Sequence, residues 1–264
     1  MGKIIIVASL KGGVGKTTLS AALSASLSDL GKKVLAVDMD FGIRSLDIAL
    51  GHENSSAPDC YDVINGRASL AVAAENDGKH KNLYFLAAPM REDPNSDNFS
   101  LPQKRLEAFL KDARREYDFT ILDMSAGTGR LLAQTLRSGL VSTALVVCTH
   151  NAASIRAAEK LSSSIYSEGV EDVKLVINSF LVWCAEKGAE SGVVDIIDRS
   201  STPLIGVMPF EEQVEQMLSH GIPVSDEKRS LVGRATKNIA LRLLGENVPL
   251  FENVFPKKSR LRLY

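Results

Sequence analysis

Short apolar runs alternate with longer amphipathic stretches along the chain. Lys3 to Ala8 carries Ile4, Ile5, Ile6 and Val7 in a row, a continuous run that suits a parallel strand covered on both faces. Thr17 to Leu30 places Leu19, Leu23, Leu27 and Leu30 on one helical face, with Gly31 at the stop. Further strands are predicted at Lys33 to Val37, Asn82 to Ala87, Asp118 to Leu122, Thr143 to Cys148, Val173 to Ile177 and Pro203 to Val207. Helices are predicted at Leu101 to Arg115, Thr128 to Ser138, Ala152 to Ser167, Glu211 to Ser219 and Asp226 to Leu244. Strands alternating with helices predict an α/β fold, a mostly parallel central sheet with helices on both faces and right-handed crossovers. Arg91 to Ser100, with Pro94 and several Asn and Asp, reads as a surface loop. The pattern divides the chain into one domain over residues 1–247 and a less regular tail over residues 248–264, interrupted by Pro249 and Pro256.

Composition narrows this picture. The 264 residues are 45% hydrophobic, enough for a sizeable core. A net charge of −1 argues against a constitutive nucleic-acid coat, though not against a local basic patch. Cys60, Cys148 and Cys184 are scattered, as reduced thiols of a cytoplasmic protein would be, and the histidines share no ligand spacing. No apolar run approaches the roughly 20 residues that span a bilayer. The chain enters a strand at once, leaving no room for a signal peptide. Met1-Gly2 hints at acylation, but Ile6 stands where Ser or Thr is needed. The expectation is a cytoplasmic protein with at most a peripheral contact at the inner face of the membrane.

The chemistry concentrates in Ser9-Leu10-Lys11-Gly12-Gly13-Val14-Gly15-Lys16-Thr17-Thr18, between a buried strand and a helix. Glycines there let backbone N–H groups curl around a phosphate, and the helix N-terminus adds partial positive charge. Lys16 is placed to reach the β- and γ-phosphates, and Thr17 to set its hydroxyl on Mg2+. The segment Lys11 to Thr18 therefore points to ATP with magnesium. Asp38 and Asp40, just past the second strand, suit magnesium and water handling; a helix-capping Asp beside a solvated Asp is the other reading. Tyr117 to Asp123 is an apolar strand ending in a carboxylate, the layout in which an Asp contacts the magnesium shell. Asn178 ends another strand, where it either faces a ligand or caps a turn.

The usual first glycine of the phosphate loop is Leu10 here, and a second lysine, Lys11, opens it. This K-G-G-V-G-K-T-T form resembles the deviant loop of the MinD/ParA family of ATPases. Val37 to Asp47 looks like the first switch segment of the MinD branch, and Ser125-Ala126-Gly127 resembles the second, with Ser125 where the family carries proline. The resemblance runs from the phosphate loop to the Gly221-Ile222-Pro223-Val224 stretch, nearly the whole chain. It implies that Asp40 positions the attacking water, that Asp38 holds a magnesium-bound water, and that the Gly127 amide meets the γ-phosphate. Asn178 would read the adenine edge, and Pro209 and Phe210 would close over the base. Lys11 would reach the nucleotide of a second subunit, so that two chains sandwich two ATP molecules and hydrolysis separates them. An ATP-controlled homodimer engaged by an activating or effector protein, acting in spatial regulation of cell division, is the implied function. Thr149 to Arg156 departs from the MinD pattern where partners would bind.

In the family's MinD branch the chain ends in a membrane-seeking helix. Here Phe251, Val254 and Phe255 share a face, Pro256 breaks the helix, and Lys257, Lys258, Arg260 and Arg262 follow. Contact with an anionic membrane and packing onto the domain both remain open for this tail. The alternatives are a MinD-like ATPase that places another surface structure and a partitioning ATPase that binds DNA non-specifically when dimeric; the near-neutral charge and the Arg44 string lean against the latter. A metallocentre-maturation relative would carry a close Cys pair, which this sequence lacks.

Overall fold

The computed structural model describes residues 1–53, 55–90, 101–181, 191–227 and 229–255. The expected loop at 91–100, Cys184 and the chain from Pro256 on lie outside the described residues. Among the described residues, eight strands form one sheet: β1 (Lys3–Ala8), β2 (Val34–Met39), β3 (Glu75–Asn76), β4 (Leu83–Leu86), β5 (Phe119–Met124), β6 (Thr143–Cys148), β7 (Val173–Phe180) and β8 (Leu204–Pro209). Their order is β3-β4-β2-β5-β1-β6-β7-β8. All neighbours run parallel except β3, which is antiparallel to β4. Ile4, Ile5, Ile6 and Val7 are fully buried in β1, as the unbroken apolar run requires of a central strand.

The helices are α1 (Lys16–Asp29), α2 (Leu46–Leu50), α3 (Cys60–Ile64), α4 (Leu70–Ala73), α5 (Gln103–Glu116), α6 (Arg130–Arg137), α7 (Ala152–Ser167), α8 (Val193–Ser200), α9 (Val214–Ser219) and α10 (Leu231–Leu243). α1 packs beside α10, while α5 lies on β1 and β5 and α7 on β6 and β7. The leucine face expected of α1 is only part of its burial: Ser20, Ala21, Ala22, Ser24 and Ala25 are buried as well. The helix is thus buried on more than its leucine face, with the sheet and α10 both packed against it.

Several boundaries differ from the sequence reading for identifiable reasons. β5 runs on to Met124 because Asp38 and Asp123 still pair across the ladder. α10 starts at Leu231, where the Ser230 hydroxyl accepts from the Gly233 N–H at 3.0 Å. Glu211, expected inside a helix, instead accepts from the Leu231 and Val232 N–H groups, both at 2.9 Å, and satisfies the start of α10. Past the expected boundary at residue 247, the described part of the tail returns to the core. Phe251, Val254 and Phe255 are buried, and Phe255 meets Phe180 edge to face at 6.4 Å. Arg242 holds this return, donating to the Ile205, Val248 and Pro249 carbonyls at 2.7, 3.0 and 2.7 Å. The chain through Phe255 therefore packs as part of the same core.

Two backbone contacts shape the rest. α2 and the turn after α9 meet at Gly51 and Gly221, where a Cβ on Gly221 would fall 2.3 Å from the Gly51 Cα. The β3–β4 hairpin is pinned by His80, whose ring nitrogens lie 2.8 Å from Asp29 Oδ1 and 3.0 Å from Asp226 Oδ1, while Lys79 pairs with Asp226. The Asp226 bond, followed by the one to Asp29, outweighs burial and raises His80 to about 9.

Candidate functional site

Five strand ends bring the sequence-predicted residues to one edge of the sheet. β1 leads into the phosphate loop, β2 into Asp38 and Asp40, β5 into Asp123, β7 into Asn178 and β8 into Pro209. This is the carboxyl edge of the parallel strands, where open α/β sheets take their ligands. The loop needs its glycines: Gly13 has φ +71 and Gly15 φ +92, and a Cβ on Gly15 would fall 1.9 Å from Asn178 Nδ2. Val14 turns into the core and is 5% exposed. A cavity of about 640 Å³ opens beside the loop, lined by Gly12, Gly13, Lys16, Thr17, Thr18 and Asp40 among others. Lys16 is buried. Lys11 is exposed and is not among the residues lining the cavity; its carbonyl accepts from Ser9 Oγ at 2.6 Å.

The carboxylates form a tight set beneath the loop. Thr17 Oγ1 donates to Asp123 Oδ2 at 2.7 Å, and Ser20 Oγ donates to Asp123 Oδ1 at 2.9 Å. Burial, partly countered by those two hydroxyls and Lys16, raises Asp123 to about 6. Asp38 is fully buried. Its Oδ2 accepts from the Ser45 and Leu46 N–H groups, both at 2.9 Å, and its Oδ1 from the Asp40 N–H at 2.8 Å. The capping reading of Asp38 is thus realised: it fixes the start of α2 and the turn through Asp40. Burial and then the Asp123 charge push Asp38 up to about 7. Asp40 is raised by burial against the pull of Lys16, and it reaches the cavity wall.

A second cavity of about 380 Å³ shares Gly13, Gly15 and Thr18 with the first and is lined by Asn178, Pro209 and Phe210. The Phe210 ring is 56% exposed, an open flat platform. Asn178 Nδ2 donates to the Val14 carbonyl at 2.8 Å and so braces the phosphate loop from behind. The Gly127 amide does not point into the first cavity. It donates to the Ser9 carbonyl at 2.9 Å, while Ser125, Ala126, Gly129 and Arg130 form that wall.

Sequence reasoning missed Ser20, Ser45 and Arg130. Ser20 stands one helical turn after Lys16, a spacing that could have flagged it. Ser45 and Arg130 carry no local signal; the exits of β2 and β5 deliver them.

The donors fit a hard divalent cation. Thr17 Oγ1, Asp123 and Asp38 offer oxygen only, as Mg2+ prefers, and burial without enough positive charge is what holds both carboxylates high.

Comparison with known proteins identifies the family. A family model described as an AAA domain matches residues 2–178. The septum site-determining protein MinD of Thermotoga maritima is 34% identical over 262 residues, covering 98% of this chain and 94% of that protein. The MinD of Bacillus subtilis is 32% identical over 251 residues, covering 95% and 92%. Among solved structures, the MinC:MinD cell division protein complex of Aquifex aeolicus superimposes with a TM-score of 0.86 at 29% identity, covering 94% of this chain and 98% of that one. The chain belongs to the MinD/ParA family of P-loop ATPases.

Proposed function

We propose that the chain binds ATP with Mg2+, dimerises when it does so, and hydrolyses ATP as a switch in the spatial regulation of cell division. The observation that carries this reading is the 2.7 Å bond from Thr17 Oγ1 to the buried Asp123, beside Lys16 and directly behind the phosphate loop. Thr17 and Asp123, with Asp38 behind them, are the residues that would hold magnesium, and bound there it supplies charge neutralisation on the phosphates. Lys16 and the loop amides bind and orient the β- and γ-phosphates. Asp40, at the cavity wall and raised by burial, positions the attacking water and takes its proton. The base lies in the cavity beneath Asn178, Pro209 and Phe210.

The exposure of Lys11 outside the cavity supports its use by a second subunit, as a cation brought to the transition state in trans. ATP then selects the associated state because both nucleotides are completed only in the dimer. Relatives described as septum site-determining proteins, and one solved with MinC, support a division-placement role with an effector protein on the dimer surface. No helix among the described residues is long and apolar enough to cross a membrane. Lys257, Lys258, Arg260 and Arg262 follow the packed Phe255, and each contributes about 1 kcal/mol toward an anionic surface. Two such tails on an ATP dimer make peripheral binding depend on the nucleotide.

Size-exclusion chromatography of Asp40→Ala with ATP and with ADP tests the switch. A dimer with ATP and a monomer with ADP is expected. An ATP-loaded variant that stays monomeric would remove the switch and leave only a nucleotide site.

A further inference from the structure

Arg130 opens α6 and lines two cavities at once. One is the 640 Å³ cavity beside the phosphate loop. The other is a groove of about 560 Å³ formed with Gln103, Ala133, Gln134 and Arg137. We propose that Arg130 lets the protein tell a nucleoside triphosphate from a diphosphate, by leaving the groove to pair with the terminal phosphate. The inference rests on the nucleotide site proposed above and names what reads its state.

Lys16 and Arg130 are the two cations among the described residues that line the phosphate cavity. Lys16 already acts on two carboxylates, lowering both Asp40 and Asp123 against their burial. Arg130 comes from the wall built by the β5 exit, not from the phosphate loop, so it meets the cavity from a different side. A guanidinium there forms charge-assisted, bidentate bonds with phosphate oxygens, which a diphosphate held by the loop would not extend far enough to receive.

The groove supplies the other position. Gln134 stands four residues after Arg130, on the same helical face. Its Nε2 donates to the Leu101 carbonyl at 2.8 Å, while its Oε1 is buried with no hydrogen-bond partner among the described residues. Arg130 therefore lines the groove without bonding to that acceptor. The backbone before Arg130 permits the change. Gly127 has φ +100, and a Cβ on either Gly127 or Gly129 would meet nothing within 4 Å. The Gly127 N–H bond to the Ser9 carbonyl at 2.9 Å still ties this segment to the phosphate loop.

Competition titrations on the full chain with magnesium separate the possibilities, using ADP and a non-hydrolysable ATP analogue. Arg130→Ala is expected to weaken the analogue by about tenfold or more while leaving ADP within about twofold. Arg130→Lys should recover part of the loss, because it keeps the charge without the fork. Arg137→Ala, in the same groove but outside the phosphate cavity, should change neither affinity. Equal weakening of both nucleotides by Arg130→Ala, or no change in either, would overturn the proposal while the nucleotide site stands. A wild-type chain that binds neither nucleotide would remove the site itself, and this inference with it.

Discussion

Two groups of buried carboxylates in this molecule are tuned in opposite directions. Beneath the phosphate loop, burial drives Asp38 up to about 7 and Asp123 to about 6. Beside the β3–β4 hairpin, burial acts on Asp226 and Asp77 too, yet both end below the usual carboxylate range. His80 and Lys79 face Asp226, and His52 lies 3.1 Å from Asp77. The hairpin group is balanced within the fold. The loop group is short of positive charge, with Lys16 shared between Asp40 and Asp123. A fold that leaves charge unbalanced in one place and not the other marks where a ligand completes it.

The two groups also respond to pH differently. Asp38 and Asp123 titrate above their ordinary value of 3.8, so the nucleotide-free fold loses stability from them as pH rises from 3.8 towards 7. His80 is raised from 6.5 to about 9, so its contribution is complete below 6.5 and fades as pH climbs through 9.

The sharpest way to break the contrast is Asp123→Asn. The amide keeps partners for the Thr17 and Ser20 hydroxyls, which can rotate, and removes one unbalanced charge. ATP turnover should fall by about 10²-fold or more, read by phosphate release. The nucleotide-free variant should melt no lower than the wild type at pH 8, and up to about 4 °C higher. A clear drop in melting temperature would mean the carboxylate was already satisfied. His80→Gln should act the other way, costing about 1–3 kcal/mol of stability at pH 6. Urea midpoints should show that loss shrinking by pH 9, where the wild-type ring is itself losing its proton. An equal loss at both values would show a ring that is neutral throughout. Smallest of all is Lys79→Ala: the lysine side chain is 58% exposed, so its pairing with Asp226 should be worth less than about 1 kcal/mol and weaken further in salt.

Much of this was legible in the sequence because it is written in contiguous residues. Each long apolar run became a strand, and the glycine-lysine string became the phosphate loop. The short helices α2, α3 and α4 escaped notice because four or five residues give too little period, and tertiary contacts decide them. β3 escaped for the same reason, having two residues and no alternation. α8 was passed over although its apolar positions do recur at helical spacing. At the site, Asp123 was readable from its strand end. The capping reading of Asp38 was readable too, but that Asn178 would brace Val14 and that Gly127 would turn to Ser9 were not. Both depend on a carbonyl at the β1 exit, met by a residue from another strand.

The meeting of Gly51 and Gly221 bears on how the cavity can open. At this seam main chain rests on main chain, so no side chain can swing aside to make way. The seam joins α2, whose first amides sit on Asp38, to the turn that follows α9 beside Phe210. That seam ties α2 to the turn as a weld would. Across the cavity, Gly127 and Gly129 have open space where a Cβ would stand. Packing is thus closest at the α2 seam and most open at the β5 exit, the side on which Arg130 stands.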